Sequence, residues 1–318
     1  MPADKFLLLG IVGCTGTGKT ALGAAVCREL GRFREGGEVV SCDSMQVYAG
    51  MPIATAQPDE DERCGVPHHL IGFLPPDEKY SVARFCNDAR AVIADITARG
   101  KVPVVVGGTG LYYSALTQNL HFSPEESDAE TRVQLRAEAE ADGGASLLEK
   151  LRAVDPIAAE RLQTGGIGRI VRAWERYLAT GLTPGEHDAL SRAEKSPYRS
   201  LTIGLDCRDR EKLYARLDSR TEQMLRNGLW EEAERFLENC SPTARQAIGH
   251  KELAPALRGE ISRDQAVDNL KRATRQYAKR QRTWFLNKTS DVRWLYTDDY
   301  ARAEDLHSAA MDILRACG

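Results

Sequence analysis

Gly13-Cys14-Thr15-Gly16-Thr17-Gly18-Lys19-Thr20 is the most informative stretch of this 318-residue chain. It fits G-x-x-x-x-G-K-[ST] in full. Just before it, Phe6 to Val12 is a nearly continuous apolar run, as in a strand buried on both faces of a parallel sheet. Just after it, Thr20 to Leu30 sets Leu22, Ala25, Val26 and Leu30 on one helical face. Strand, glycine loop and helix in this order give the motif its chemistry. Glycines let backbone N–H groups turn inward around phosphate oxygens, and the helix N-terminus adds its positive end. Lys19 can neutralise phosphate charge and Thr20 can ligate Mg²⁺. All eight residues are therefore expected at a polyphosphate site. The motif specifies neither ATP nor hydrolysis.

The same alternation continues along the chain. Glu38 to Ser41 predicts a second strand, Tyr80 to Arg99 a helix, and Val102 to Val106 a third strand followed by Gly107-Gly108-Thr109-Gly110. Ser200 to Asp206 and Val292 to Tyr296 predict two more strands. The expected class is α/β, a P-loop NTPase-like parallel sheet flanked by helices. Between these strands the composition changes. Pro124 to Glu149 holds eight acidic residues against Arg132 and Arg136, and the segment onward to about residue 195 reads as helices joined by Gly-rich turns. The expected organisation is a first part of the core over 1–120, an inserted all-helical subdomain over 121–197, and a core completion with a helical C-terminal part over 198–318.

Composition limits the function. With 46 acidic and 43 basic residues the net charge is −3, which excludes nucleic-acid binding by bulk charge but leaves room for a local basic patch. No apolar run approaches the roughly 20 residues that would span a membrane. Phe6 to Val12 runs into a glycine loop rather than a cleavage site, so the chain is expected to be a soluble, cytoplasmic protein. The eight cysteines form no C-x-x-C pair and are expected as reduced thiols. His68 and His69 are adjacent and point apart on a regular element, so no metal site is expected there.

Two further residues fall where ligands bind in such sheets, beyond the carboxyl ends of the strands. Asp43 follows the second strand in Ser41-Cys42-Asp43-Ser44-Met45-Gln46-Val47-Tyr48. It can hold Mg²⁺, act as a general base, or cap a turn. Thr109 follows the third strand, as a site residue or as a turn former. Lys271 to Lys288 carries seven basic and no acidic residues, interleaved with Tyr277, Trp284 and Phe285. Leu270, Ala273, Tyr277 and Trp284 are expected as its buried stripe. Its cations read either as phosphate-backbone contacts or as a solvated face.

These segments, taken together and in this order, resemble the tRNA dimethylallyltransferases (tRNA isopentenyltransferases). The resemblance rests on Gly13 to Thr20, Ser41 to Tyr48, Gly65-Val66-Pro67-His68-His69-Leu70, Tyr80-Ser81-Val82 and Gly107 to Tyr112. It continues through Arg169 to Ala173, Arg245 to Gly249 with Lys251-Glu252, Thr274 to Gln281 and Trp284-Phe285, spanning about residues 6 to 290. It implies transfer of a dimethylallyl group from dimethylallyl diphosphate to N6 of adenosine 37 of tRNA, with Mg²⁺. The loop would then cradle a prenyl diphosphate, with Arg220 as a further cation. By match, Asp43 would accept the N6 proton and Thr109 would lie beside the reacting groups. Asp43, Ser44, Met45 and Gln46 would touch the flipped nucleotide or its neighbours. Gly168, Arg169, Arg172, Arg245, Gln246, Thr274, Arg275, Gln276, Lys279, Arg280 and Gln281 would grip the anticodon stem-loop. The resemblance also implies a monomer.

Several positions depart from the family pattern. Met45 stands where many members carry Arg, and Ala54 and Gln57 where Gly and Lys are usual. Gly165-Gly166-Ile167-Gly168 replaces an Asn-Asp turn, and Leu286 a frequent Arg. Three other readings compete: a small-molecule P-loop kinase, a free-nucleotide isopentenyltransferase, and a non-catalytic RNA-binding protein. The basic helix and the insertion argue for a macromolecular acceptor.

Overall fold

The computed structural model describes residues 6–32, 34–120, 129–192 and 194–317. In chain order the elements begin with β1 (Phe6–Gly13), α1 (Lys19–Leu30), β2 (Gly37–Ser41), α2 (Glu60–Arg63) and β3 (His68–His69). Next come α3 (Val82–Ala98), β4 (Val102–Gly107) and α4 (Gly110–Thr117). Five helices follow: α5 (Ala129–Asp142), α6 (Ala145–Val154), α7 (Pro156–Gln163), α8 (Ile167–Thr180) and α9 (Pro184–Ser191). Then come β5 (Tyr198–Asp206), α10 (Arg210–Arg226), α11 (Leu229–Arg235) and α12 (His250–Leu257). The chain closes with α13 (Arg263–Lys288), β6 (Val292–Tyr296) and α14 (Ala303–Cys317).

The chain divides into two compact units. One combines Met1–Thr117 with Ser196–Gly318, and the other is Gln118–Lys195. The first holds a six-stranded sheet in the order β3-β2-β4-β1-β5-β6, with every pair parallel. That is the expected α/β class. The apolar runs are buried because helices cover both faces of such a sheet. On one side Leu9, Ile11, Val104, Val106 and Ile203 pack with Leu22 and Val26 of α1 and Met311 of α14. On the other, Phe85 of α3 stacks on Tyr112 of α4 at 4.5 Å between ring centres.

The two-residue strand β3 was not anticipated. It pairs Val39 with His68 and Val40 with His69, and is too short for a periodic signal. Both adjacent histidines serve the edge of the sheet. His68 Nδ1 lies 2.8 Å from the Val66 carbonyl, and His69 Nε2 lies 2.8 Å from Glu38. Glu38 also takes Arg99 and Lys101, so its buried carboxylate is held well below the usual carboxylate range, chiefly by the Arg99 hydrogen bonds.

The second unit consists of α5 to α9. Its core is Leu135, Ala139, Leu147, Ile170 and Val171. Arg132 donates to the buried Glu175 at 2.8 Å. Of the acidic stretch, residues 124–128 lie outside the described residues, as do residues 121–123 before it. Gly166, in extended backbone, is the N-cap of α8, and Arg169 and Arg172 are both exposed on that helix.

Candidate active site

The three loops that leave the carboxyl ends of β1, β2 and β4 converge. The phosphate loop turns on glycines in left-handed backbone, Gly16 at φ 82° and Gly18 at φ 80°. Gly13, at φ 147°, has a further reason to be glycine: a Cβ there would sit 2.2 Å from the Leu205 carbonyl oxygen of the neighbouring strand. Thr17 Oγ1 and Lys19 Nζ both donate to the Cys14 carbonyl, at 2.8 and 2.7 Å, closing the turn on itself. Burial pushes Lys19 down to about 8, and the nearby Arg220 adds to the fall. Arg220 comes from α10, some two hundred residues away, and donates to Thr15 Oγ1 at 3.1 Å. Its own pKa is lowered by burial. Burial pushes the Cys14 thiol up to about 11, so it is an unreactive core side chain.

Across the crevice, Asp43 Oδ1 accepts from the backbone N–H of Met45 at 2.9 Å and of Gln46 at 3.3 Å. One oxygen thus caps a turn. The other has no hydrogen-bond partner among the described residues, on a side chain that lines the cavity. Desolvation raises the pKa of this carboxyl despite the two backbone donors. Thr109 braces the same loop: its hydroxyl accepts from the Ser44 N–H at 3.0 Å, and its own N–H donates to the Cys42 carbonyl at 3.2 Å.

Thr15, Lys19, Thr20, Asp43, Ser44, Met45, Gln46 and Arg220 all line a single cavity of about 490 Å³. Gln246, Thr274, Gln276, Arg280 and Gln281 line it too, so the phosphate loop and α13 share one crevice. An apolar stretch of wall comes from Leu217 and Met224 of α10 and from Leu270 and Ala273 of α13. Arg169, Arg172 and Gly168 belong to the second unit.

The structure corrects the reading of α13. Its buried residues are Ala266, Leu270, Ala278, Gln281 and Phe285. Ala273, Tyr277 and Trp284, expected in the core, are only partly buried, and Tyr277 lines the cavity. The helix also does not lack acidic partners. They come from other elements: Glu222 takes Lys271 at 2.9 Å, Asp218 takes Arg275 at 2.8 Å, and the buried Asp206 takes Arg282 at 2.7 Å. Arg275, expected on the stem-loop, therefore lies on the paired flank. Arg272, Lys279 and Arg280 are exposed and have no carboxylate partner among the described residues.

Other expected RNA contacts are engaged on protein as well. Gln281 is buried, and its amide bonds the backbone of two loops. The Gln46 amide accepts from Ser41 Oγ and donates to the Ala56 carbonyl, both at 2.8 Å. The exposed Arg245 donates to the carbonyls of Glu238 and Cys240. Two supports have roles that were not read from the sequence. Glu232, fully buried on α11, accepts from the N–H groups of Ile53 and Ala54 at 2.8 Å and pairs with His250 at 2.9 Å. Gln57, the departure from Lys, donates to the carbonyls of Gln46 and Tyr48. No local pattern marks such long-range contacts. For Tyr277 a signal existed, because Thr274, Tyr277 and Gln281 share a helical face at i, i+3 and i+7.

The IPP transferase family model matches residues 46–288. A tRNA dimethylallyltransferase of Caldanaerobacter subterraneus subsp. tengcongensis is 42% identical over 309 residues, covering 96% of each chain. One from Symbiobacterium thermophilum is 43% identical over 98% of this chain and 95% of its own. Among solved structures, the tRNA isopentenylpyrophosphate transferase of Bacillus halodurans superposes with a TM-score of 0.70 at 37% identity, over 98% of both chains. A eukaryotic dimethylallyltransferase acting on tRNA gives a TM-score of 0.79 at 28% identity, over 98% of this chain and 80% of its own. With the family model spanning most of the chain and relatives above 40% identity along nearly its full length, this chain belongs to the IPP transferase family.

Proposed function

We propose that this chain transfers the dimethylallyl group of dimethylallyl diphosphate to N6 of adenosine 37, beside the anticodon of tRNA. One observation carries the reading: the phosphate loop and Asp43 open into the same cavity, along which α13 runs with the exposed Arg280. The names of the relatives support it.

The chemistry follows from the residues present. The allylic C1–O bond breaks and its electron pair leaves on the diphosphate, while N6 forms the new bond to C1. Charge grows on the leaving group, where Lys19, Arg220 and the amides at the start of α1 would stabilise it. The N6 proton would pass to Asp43. An exocyclic adenine amine is a poor nucleophile, so a carboxylate made more basic by burial suits the task. The apolar wall of Leu217, Met224 and Leu270 suits the hydrocarbon tail. The adenine must leave its stack to reach this depth. Arg169 and Arg172 on α8 would contact the stem-loop backbone.

Mg²⁺ is part of this reading. The Thr20 hydroxyl and the Asp43 carboxylate are hard oxygen donors on the same cavity. Mg²⁺ needs few protein ligands when phosphates and water complete its shell, so these residues fit it. Thr20 would hold it, and the bound ion would add positive charge beside the diphosphate. The reading has the protein acting as a monomer in the cytoplasm, where its tRNA acceptor would be met.

The test is incubation with Mg²⁺, dimethylallyl diphosphate and unmodified tRNA containing A36-A37-A38, followed by nucleoside mass spectrometry. AMP and ATP run in parallel as acceptors. A dimethylallyl adduct at A37 is the expected result. An adduct on AMP alone would replace tRNA with a free nucleotide, and ATP consumption without any adduct would make the protein a kinase.

A further inference from the structure

The buried face of α13 meets the phosphate loop in two ways: Ala278 shares a core cluster with Cys14, and Gln281 hydrogen-bonds the loop backbone. Gln281 Oε1 accepts from the Thr15 N–H at 2.8 Å, and Gln281 Nε2 donates to the Gly108 carbonyl at 2.9 Å. Thr15 belongs to the loop after β1, and Gly108 to the loop after β4 that carries Thr109. The side chain is 6% exposed. Both ends of its amide are therefore satisfied by backbone, at a depth where an orphaned polar group is costly. The approach is close: a Cβ on Gly108 would lie 2.2 Å from Gln281 Nε2. One turn on, the helix is seated just as tightly, since a Cβ on Gly110 would lie 2.1 Å from the Trp284 ring. Among the described residues no other side chain hydrogen-bonds both the phosphate loop and the loop after β4.

We propose that Gln281 is a positioning residue. It sets the phosphate loop and the Thr109 loop at a fixed separation, and ties both to the helix that also carries the exposed Arg272, Lys279 and Arg280. The proposal rests on the transferase reading for what the crevice holds. Catalysis there needs the diphosphate and the acceptor amine in register, and a misplacement of about 1 Å can cost about a hundredfold in rate. A glutamine suits the place because one loop offers a donor and the other an acceptor. A carboxylate would lack the donor for Gly108.

The test uses the full chain with Gln281→Met, which keeps length and burial but makes neither bond, and with Gly108→Ala, which drives a methyl into the same amide. Binding of inorganic pyrophosphate with Mg²⁺ is measured by calorimetry, tRNA affinity by filter binding, and transfer by single turnover at saturating tRNA. Gln281→Met is expected to weaken pyrophosphate binding and lower the transfer rate by about tenfold to a hundredfold while tRNA affinity holds. Combined with Gly108→Ala, the losses are expected to be less than additive, because both changes break one contact. Lost tRNA affinity with an intact saturating rate would overturn the proposal and make Gln281 an RNA contact. Unchanged pyrophosphate binding and rate would overturn it too. If Gln281→Met does not fold, Gly108→Ala alone decides by the same criteria. The pyrophosphate arm needs no acceptor, so it judges Gln281 even if the wild-type protein modifies no tRNA and the transferase reading falls.

Discussion

The phosphate loop and α13 face one crevice, yet they are specified in opposite ways. In the loop the determinants of the turn are local. Gly16, Gly18, the Thr17 hydroxyl and the Lys19 ammonium act within eight residues, and two of them close on a single carbonyl. In α13 almost every functional assignment is made by distant partners. Lys271, Arg275 and Arg282 are neutralised by acids from α10 and β5, while Arg272, Lys279 and Arg280 on the other flank are not. A run of cations on a helix is therefore two populations. Which population a residue joins depends on what packs beside it, not on its neighbours in sequence.

The first way to break this comparison is at the chemical end. Asp43→Asn is expected to lower the single-turnover rate by about 10²- to 10⁴-fold while tRNA affinity holds. A rate near wild type in that variant would remove Asp43 from the reaction.

Next comes pH. Asp43 must be ionised to accept a proton, and burial raises its pKa, so activity is expected to climb with pH through a point above the ordinary aspartate value. Lys19 must be protonated to meet a diphosphate, and burial brings it down to about 8 in the free protein. The value of kcat/KM for the diphosphate is thus expected to fall above pH about 8. In kcat this limb moves to higher pH, because bound diphosphate favours the charged lysine. A profile flat to pH 10 would separate Lys19 from the diphosphate.

The seating of α13 can be disturbed without touching a charge. Gly110→Ala presses a methyl into the Trp284 ring and is expected to cost about 1–3 kcal/mol, read as a lower Tm.

The smallest effect separates the two cation populations. Arg280→Ala is expected to weaken tRNA binding and reduce the salt slope of log K by roughly one. Arg275→Ala removes a partner of Asp218 instead. It is expected to leave that slope alone and to cost at most about 1 kcal/mol of stability, since the pair is about one-third exposed. Equal salt slopes for the two variants would dissolve the distinction.

By itself the sequence determined the sheet class, the β1-loop-α1 unit and the neighbourhoods of Asp43 and Thr109. These features depend on short-range physics: side-chain periodicity, glycine backbone freedom and the ends of strands. It also carried the resemblance that family membership later matched. It did not show β3, which is only two residues long and owes its pairing to β2. Tertiary structure alone decided that Gln281 bonds the backbone of two loops, that Arg220 reaches Thr15, and that Glu232 holds the turn at Ile53 and Ala54. Such contacts join residues far apart in the chain, and a side chain's hydrogen-bond partner leaves no trace in its own local pattern.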